Sequence, residues 1–273
     1  MSATNIIIVT KEEGAASNHL ISLAKMAPCS HEEADTRIFV HARQTVEEGC
    51  KSILIKANDT DILVIVVSVL PTLQELGLQQ LWIAFGQGWN LRWIPIHELL
   101  LSVGLQKSKG ILFFHAFTGC DVVSAFRGRG KKTAWQTWDI CDEASDVFSK
   151  LSQYPPTIDD ADMKILENFV VMMYDRSSTA DGVDNARLDM FARKQRPYEA
   201  IPPTQAALLQ HVRRATYQAG CIWGQSILSQ PEGQSPADWG WTKKVFPGCL
   251  PSCSALLAHH LECGFTSSLP ALQ

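Results

Sequence analysis

Residues 31–61, HEEADTRIFVHARQTVEEGCKSILIKANDTD, decide the fold class. Ala34, Ile38 and Ala42, with Val46 a turn later, recur at the spacing of one helix face. Ser30 is placed to cap that helix, with Glu33 three residues on, and Gly49 is placed to end it. Lys51–Ala57, KSILIKA, reads as a strand with a short apolar centre, and it runs straight into Asn58-Asp59-Thr60-Asp61. A helix followed at once by a buried strand is the pattern of an α/β fold.

Working outward, residues 5–9, NIIIV, predict another short buried strand, and residues 18–26, NHLISLAKM, a helical turn or two. Residues 62–70, ILVIVVSVL, fit two descriptions. Their β-branched content favours a strand, whereas the Asp-Thr-Asp turn would start a helix equally well. QQLWIAFG, residues 79–86, predicts a strand. Residues 89–105, WNLRWIPIHELLLSVGL, predict a strand end and then a helix that stops near Gly104. Residues 111–117 are apolar and lead into the turn at Asp121.

Beyond Trp138 the pattern is helical. DEASDVFSKLSQYPP is a helix closed by Pro155-Pro156, and DDADMKILENFVVMMYD is amphipathic with an acidic start. NARLDMFARKQ follows, and then a long helix opening at Pro202-Pro203 and running through Trp223 to Leu228. The tail is turn-rich. The expected organisation is an α/β core with a glycine hairpin over residues 1–138, and a helical accessory region with a turn-rich tail over residues 139–273.

Composition narrows the function classes. The chain has 273 residues, 46% hydrophobic, with a net charge of −4, so nucleic-acid binding would need a local basic patch. Its eight cysteines are spread along the chain, which suits reduced thiols better than a secreted disulfide framework. The N-terminus lacks the basic flank and apolar region of a secretory signal, and no apolar run reaches the ~20 residues that span a bilayer. An intracellular protein is expected, with the nucleus favoured over the cytoplasm and no membrane partner.

Five acids stand out: Glu33 and Asp35 at a helix start, Asp59 and Asp61 after a strand, and Asp121 in a Gly-Cys-Asp turn. Acids at such places also serve as helix caps. In open α/β sheets, however, ligands bind at the carboxyl ends of strands, where Asp59 falls. Clustered carboxylates suit hard dications such as Mg²⁺ or Mn²⁺. Two such ions can clamp the attacking and leaving oxygens of a phosphodiester. After Asp121 comes Arg127-Gly128-Arg129-Gly130-Lys131-Lys132-Thr133-Ala134, a glycine turn with four basic residues. Such a turn lets backbone N–H groups approach a phosphate, and it is equally the pattern of a solvated turn.

Taken together the pattern resembles the flap-endonuclease/XPG family of structure-specific nucleases, a branch of the PIN-like fold. That family has an acidic pair in a helix, an Asp-x-Asp after a strand, a Gly-Ser-Asp turn and an Arg-Gly-x-Gly-x-Lys-x-Ala hairpin. They correspond to Glu33-Ala34-Asp35, Asp59-Thr60-Asp61, Gly119-Cys120-Asp121 and Arg127–Ala134. The leucine-rich IHELLLSVGL before the turn is also similar, and the whole is most like mobile-element-associated animal proteins of this type. The resemblance, over about residues 30–138, implies a PIN-like parallel sheet flanked by helices, with a mainly α-helical region after it. It implies that Glu33, Asp35 and Asp59 face one Mg²⁺ or Mn²⁺ ion, and Asp59, Asp61 and Asp121 a second. It further implies that Arg127, Gly128, Arg129, Gly130, Lys131 and Lys132 hold DNA, branched or at a single-strand/double-strand junction, for hydrolysis. The family carries two more catalytic aspartates upstream, whereas residues 1–30 contain none. The expectation is a fragment of a longer protein or a weakened site. Alternative readings are a catalytically degenerate nucleic-acid-binding protein and a non-catalytic α/β scaffold.

Other residues are better read as structural. Buried thiols explain Cys249, Cys253, His259, His260 and Cys263 better than a zinc site. Cys120 reads as a packed thiol, His115 as a core or supporting histidine, and Trp223, Trp239 and Trp241 as packed aromatics.

Overall fold

The computed structural model describes residues 7–20, 22–31, 33–194, 200–245, 254–258 and 265–266. The chain divides into two compact units. One holds residues up to Ser108 together with Gln225–Glu232, and the other holds Lys109–Gly224 and the residues from Gly233 on. The boundary expected after Trp138 falls inside the second unit.

The first unit is a mixed α/β layer. Helix α1 (Ala34–Glu47) leads into β3 (Ser52–Ala57), helix α2 (Thr60–Glu75) and β4 (Gln80–Phe85). Strands β3 and β4 are parallel, in register from Ser52↔Gln80 to Ala57↔Phe85. The sheet is not wholly parallel as expected, because β5 (Arg92–Pro95) runs antiparallel to β4. The reason lies in the connection: Gly86–Leu91 is a tight turn, and a parallel return needs a crossover of a dozen or more residues. Ile55, Ala57, Leu81 and Ile83 are buried and mark one sheet face as the core face. Helix α3 (Ile96–Val103) follows β5 and stops at Gly104, as expected.

Residues 62–70 are helical. Asp59 caps α2, and Ile62, Ile65, Val66, Val67, Val69, Leu70 and Leu73 are all buried, so burial outweighs the weak strand preference of β-branched residues. Three expectations fail here. Ile8–Lys11 (β1) pairs with Gly14–Ser17 (β2) in a hairpin, and Val9 is 61% exposed, so this is no buried strand; residues 5 and 6 lie outside the described residues. The described part of 18–26 forms turns and no helix. The α1 cap position is Glu33, not Ser30, whose N–H donates to Ser229 O instead.

The second unit is mainly helical, with α4 (Leu105–Phe117), the short strand β6 (Ala125–Phe126), α5 (Lys131–Trp138), α6 (Glu143–Leu151), α7 (Asp160–Tyr174), α8 (Val183–Lys194) and α9 (Gln205–Thr216). Phe113, Phe117, Trp138, Phe148 and Phe169 are fully buried and stack ring on ring. Helix α7 begins with a capping box between Asp159 and Asp162, which Lys150 joins at 2.7 Å from each. The long helix expected to Leu228 is broken: α9 gives way to a π-helical stretch at Tyr217–Ile222. There the chain packs backbone to backbone, and a Cβ at Gly224 would lie 2.6 Å from Ser152 O. Strand β7 (Trp241–Val245) pairs with β8 (Ser254–Ala258), and β6 with β9 (Phe265–Thr266).

Among the described residues no helix is long and apolar enough to cross a membrane.

Candidate functional site

The candidate acids fall in both units. Glu33, Asp35, Asp59 and Asp61 belong to the first, whereas Asp121 and the basic turn belong to the second.

In the first unit, short connections dictate the arrangement. Helix α1 reaches β3 through Glu48–Lys51, and β3 reaches α2 through Asn58 and Asp59. Both helices therefore run antiparallel to β3, and they pack on each other. Their first turns, carrying Asp35 and Asp61, accordingly lie at the carboxyl end of β3. All four acids are half-buried. Asp59 is the α2 cap, and its Oδ1 accepts from Asp61 N at 2.8 Å. The Glu33 side chain makes no such capping bond, although its backbone has the extended cap conformation. Instead Thr36 Oγ1 donates to Glu33 O at 3.0 Å and meets His31 Nδ1 at 2.7 Å. His31 Nε2 lies 2.5 Å from Leu228 O. Burial, with Arg37 assisting, holds the pKa of His31 below the ordinary histidine value against that carbonyl's opposing pull.

Asn58 was not anticipated. With its amide oriented to satisfy both ends, it donates to Ala57 O (3.2 Å) and Gly86 O (3.0 Å) and accepts from Gln87 Nε2 (2.6 Å). It ties the acidic turn after β3 to the Gly86–Asn90 turn after β4. The available sequence signal was its place directly before the Asp-Thr-Asp.

Carboxylates at one sheet end have the hard-oxygen chemistry that Mg²⁺ and Mn²⁺ prefer. Among the described residues, however, no three His, Cys, Asp or Glu side chains form a group able to hold a metal ion. A separate cleft of about 410 Å³ lies farther along α1, lined by Lys25, Val40, Arg43, Gln44, Glu47 and Leu228. Its charges are already engaged: Glu47 bonds both Lys25 and Arg43, which holds its carboxyl below the usual range. Cys249, Cys253, His259, His260 and Cys263 lie outside the described residues.

In the second unit, α4 ends in a turn that only glycine fits. Gly119 has φ +108°, and a Cβ there would come 2.6 Å from Ala125 Cβ. The turn is closed by Cys120 N donating to Val123 O at 3.0 Å, and Asp121 is exposed on it. Cys120 and His115 are buried, as expected. From α9, His211 clamps the turn on both sides. Its Nε2 lies 2.7 Å from Phe117 O, and its Nδ1 lies 3.1 Å from Ser124 Oγ. A neutral ring that donates to the carbonyl and accepts from the hydroxyl satisfies both bonds. Full burial accordingly pushes the His211 pKa down to about 3.

The basic residues of the hairpin divide into two kinds. Lys131 Nζ donates to His115 O (2.8 Å), Thr118 Oγ1 (3.0 Å) and Gly119 O (2.5 Å), placing a cation on the carbonyl end of α4. Arg129 lies over the Tyr174 ring at 4.9 Å and donates to Tyr174 O at 3.2 Å. The Tyr174 hydroxyl donates to Arg127 O at 3.2 Å, and burial raises its pKa to about 12. Arg127 and Lys132 are exposed, and the space about Gly128 and Gly130 is open. Lys131 and Arg129 thus hold the turn in shape, whereas Arg127 and Lys132 point to solvent-accessible positions. Trp223 and Trp241 are buried, and Trp239 Nε1 donates to Gln234 Oε1 at 2.8 Å, in keeping with packed aromatics.

Protein families, curated proteins and solved structures yield no match to this chain.

Proposed function

We propose that this chain is a PIN-like, flap-endonuclease-type protein that hydrolyses phosphodiester bonds in branched or flapped DNA with Mg²⁺ or Mn²⁺. The observation that carries this reading is the common location of two acidic helix starts, Glu33/Asp35 and Asp59/Asp61, at the carboxyl end of β3. Ligands of open α/β sheets bind at that end. The motif order from Glu33 to Ala134 supports the family reading. Arg127, Lys132 and the Gly128–Gly130 backbone would meet phosphate. The four acids of the first unit have the right donor chemistry but do not form a closed ligand group. The reading therefore requires the ion to draw them together. A nuclear location accords with this role.

A second reading, salt-dependent DNA binding without cleavage, is favoured by one bond. The Asp59 carboxylate already serves as the α2 cap. Incubating the chain with branched DNA and Mn²⁺ separates the two. The nuclease reading expects cleavage that Asp59→Ala abolishes. Binding that weakens with salt, without cleavage by the parent chain, would replace it with the second reading.

A further inference from the structure

The cleft along α1 takes one of its walls from far along the chain. Val40, Arg43 and Glu47 line it from α1, joined by Lys25, and Ile227 and Leu228 line it from the loop Gln225–Glu232. Val40, Arg43 and Glu47 recur at the three- and four-residue steps of one helix face. The loop is closed by its own first residue. Gln225 Nε2 donates to Glu232 O (3.0 Å), and Gln225 Oε1 accepts from Glu232 N (2.9 Å). The loop is fixed beside the start of α1 by Ser30 N, which donates to Ser229 O (3.1 Å), and by His31 Nε2, 2.5 Å from Leu228 O. All of these residues belong to the first unit, so the cleft is preformed within it.

Its charges are unevenly shared. Glu47 Oε2 accepts from Lys25 and Glu47 Oε1 from Arg43 Nε (3.0 Å), so one carboxylate serves two cations. Among the described residues neither cation has another hydrogen-bond partner. The ammonium therefore keeps further N–H donors, and the guanidinium keeps both terminal amino groups. The Lys25 and Arg43 side chains are 68% and 39% exposed and that of Glu47 only 19%, so an incoming group meets the cations first.

We propose that this cleft binds a small anion with a short apolar body, a carboxylate or a phosphate monoester. Its head meets Arg43 and Lys25, and its body lies on Val40, Ile227 and Leu228. The volume of about 410 Å³ suits a small molecule, and sites of that size combine apolar walls with a few convergent polar groups. A planar guanidinium with free terminal amino groups matches the oxygens of a carboxylate or phosphate. A cationic ligand fits less well, because Glu47 is the only acid of the lining and each of its oxygens already accepts a bond. A wall already held by hydrogen bonds needs little ordering when the ligand enters. The inference is independent of the chemistry proposed at the end of β3.

The test is a two-dimensional NMR titration of the full, isotope-labelled chain with hexanoate, hexyl phosphate, hexanol and hexylamine. It is run on the parent and on Arg43→Gln, Lys25→Gln and Glu47→Gln, with circular dichroism and a thermal melt checking each fold. The proposal predicts saturable shifts at Val40, Glu47 and Leu228 with hexanoate or hexyl phosphate, and none with hexanol or hexylamine. The stronger of the two anions identifies the head group. Arg43→Gln should weaken that anion about ten-fold and Lys25→Gln a few-fold. Glu47→Gln should tighten it several-fold, because both cations lose the carboxylate they share. No saturable shift at these residues with either anion would overturn the proposal. So would hexanol binding as tightly as the anions, or anion binding unchanged in both Arg43→Gln and Lys25→Gln. Preference for hexylamine, lost in Glu47→Gln, would make the cleft a cation site and overturn it as well.

Discussion

The two acid-bearing turns of this protein are built in opposite ways. The turn at Gly119–Ser124 is locked by a glycine that admits no side chain, a buried histidine and a lysine donating to three oxygens. In the Asn58–Asp61 turn, Asp59 caps α2 and the Asn58 amide reaches the turn after β4. Around the first lies a packed aromatic core, whereas Leu54 and Trp93 of the sheet beside the second stand exposed. A turn held by long-range packing is costly to disturb but leaves few groups free to react. A turn exposed beside a sheet end is cheaper to disturb. On the proposed function, the packed turn would give shape, and the acidic turn of the first unit would carry the chemistry.

The most disruptive way to probe this contrast is Phe117→Ala. Phe117 is fully buried against Phe113, Phe126, Phe169 and His211. Its loss should cost about 3–5 kcal/mol in chemical denaturation. A cost below about 1 kcal/mol would mean that the turn is not anchored by this core.

His211 gives a second probe, with a defined sign. Its pKa falls from 6.5 to about 3 on folding. Below pH 6.5 the unfolded chain takes up a proton that the folded chain refuses. This contribution to stability is therefore complete above pH 6.5 and declines as pH falls towards 3, by about 1.4 kcal/mol per pH unit. Denaturation midpoints measured across this range should fall less steeply in His211→Gln than in the parent. Parallel curves would contradict the neutral clamp.

Asp59 separates its two duties most finely. Asp59→Ala removes the α2 cap and should cost about 1 kcal/mol. Asp59→Asn keeps a side-chain acceptor for Asp61 N and should cost only a few tenths, while removing the charge. Equal losses of stability in the two variants would mean that the carboxylate contributes more than a cap.

What was legible in the sequence follows the same division. Strand β3, its Asp-Thr-Asp exit, β4 and helix α7 are local patterns, set by period and cap chemistry, and they stand where the residues put them. Residues 62–70 were ambiguous because β-branched runs suit a strand and a fully buried helix alike, and only the packing around α2 decides. The antiparallel β5 was hidden because nothing in RWIP states a direction. The inward roles of Lys131 and Arg129 depend on the end of α4 and on Tyr174, and the clamp by His211 joins residues 87 positions apart. Such pairings are properties of the folded chain. Ser30 was misread because Ser followed three residues later by Glu matches a capping box, although α1 begins further on.

The central claim is that the carboxylates at the end of β3 hold a divalent ion. Titrating Mn²⁺ into the full chain, with electron paramagnetic resonance reporting the free ion, tests it most directly. The account predicts saturable binding that Asp59→Asn weakens at least ten-fold while the fold persists. Binding absent in the parent, or unchanged in Asp59→Asn, would contradict it.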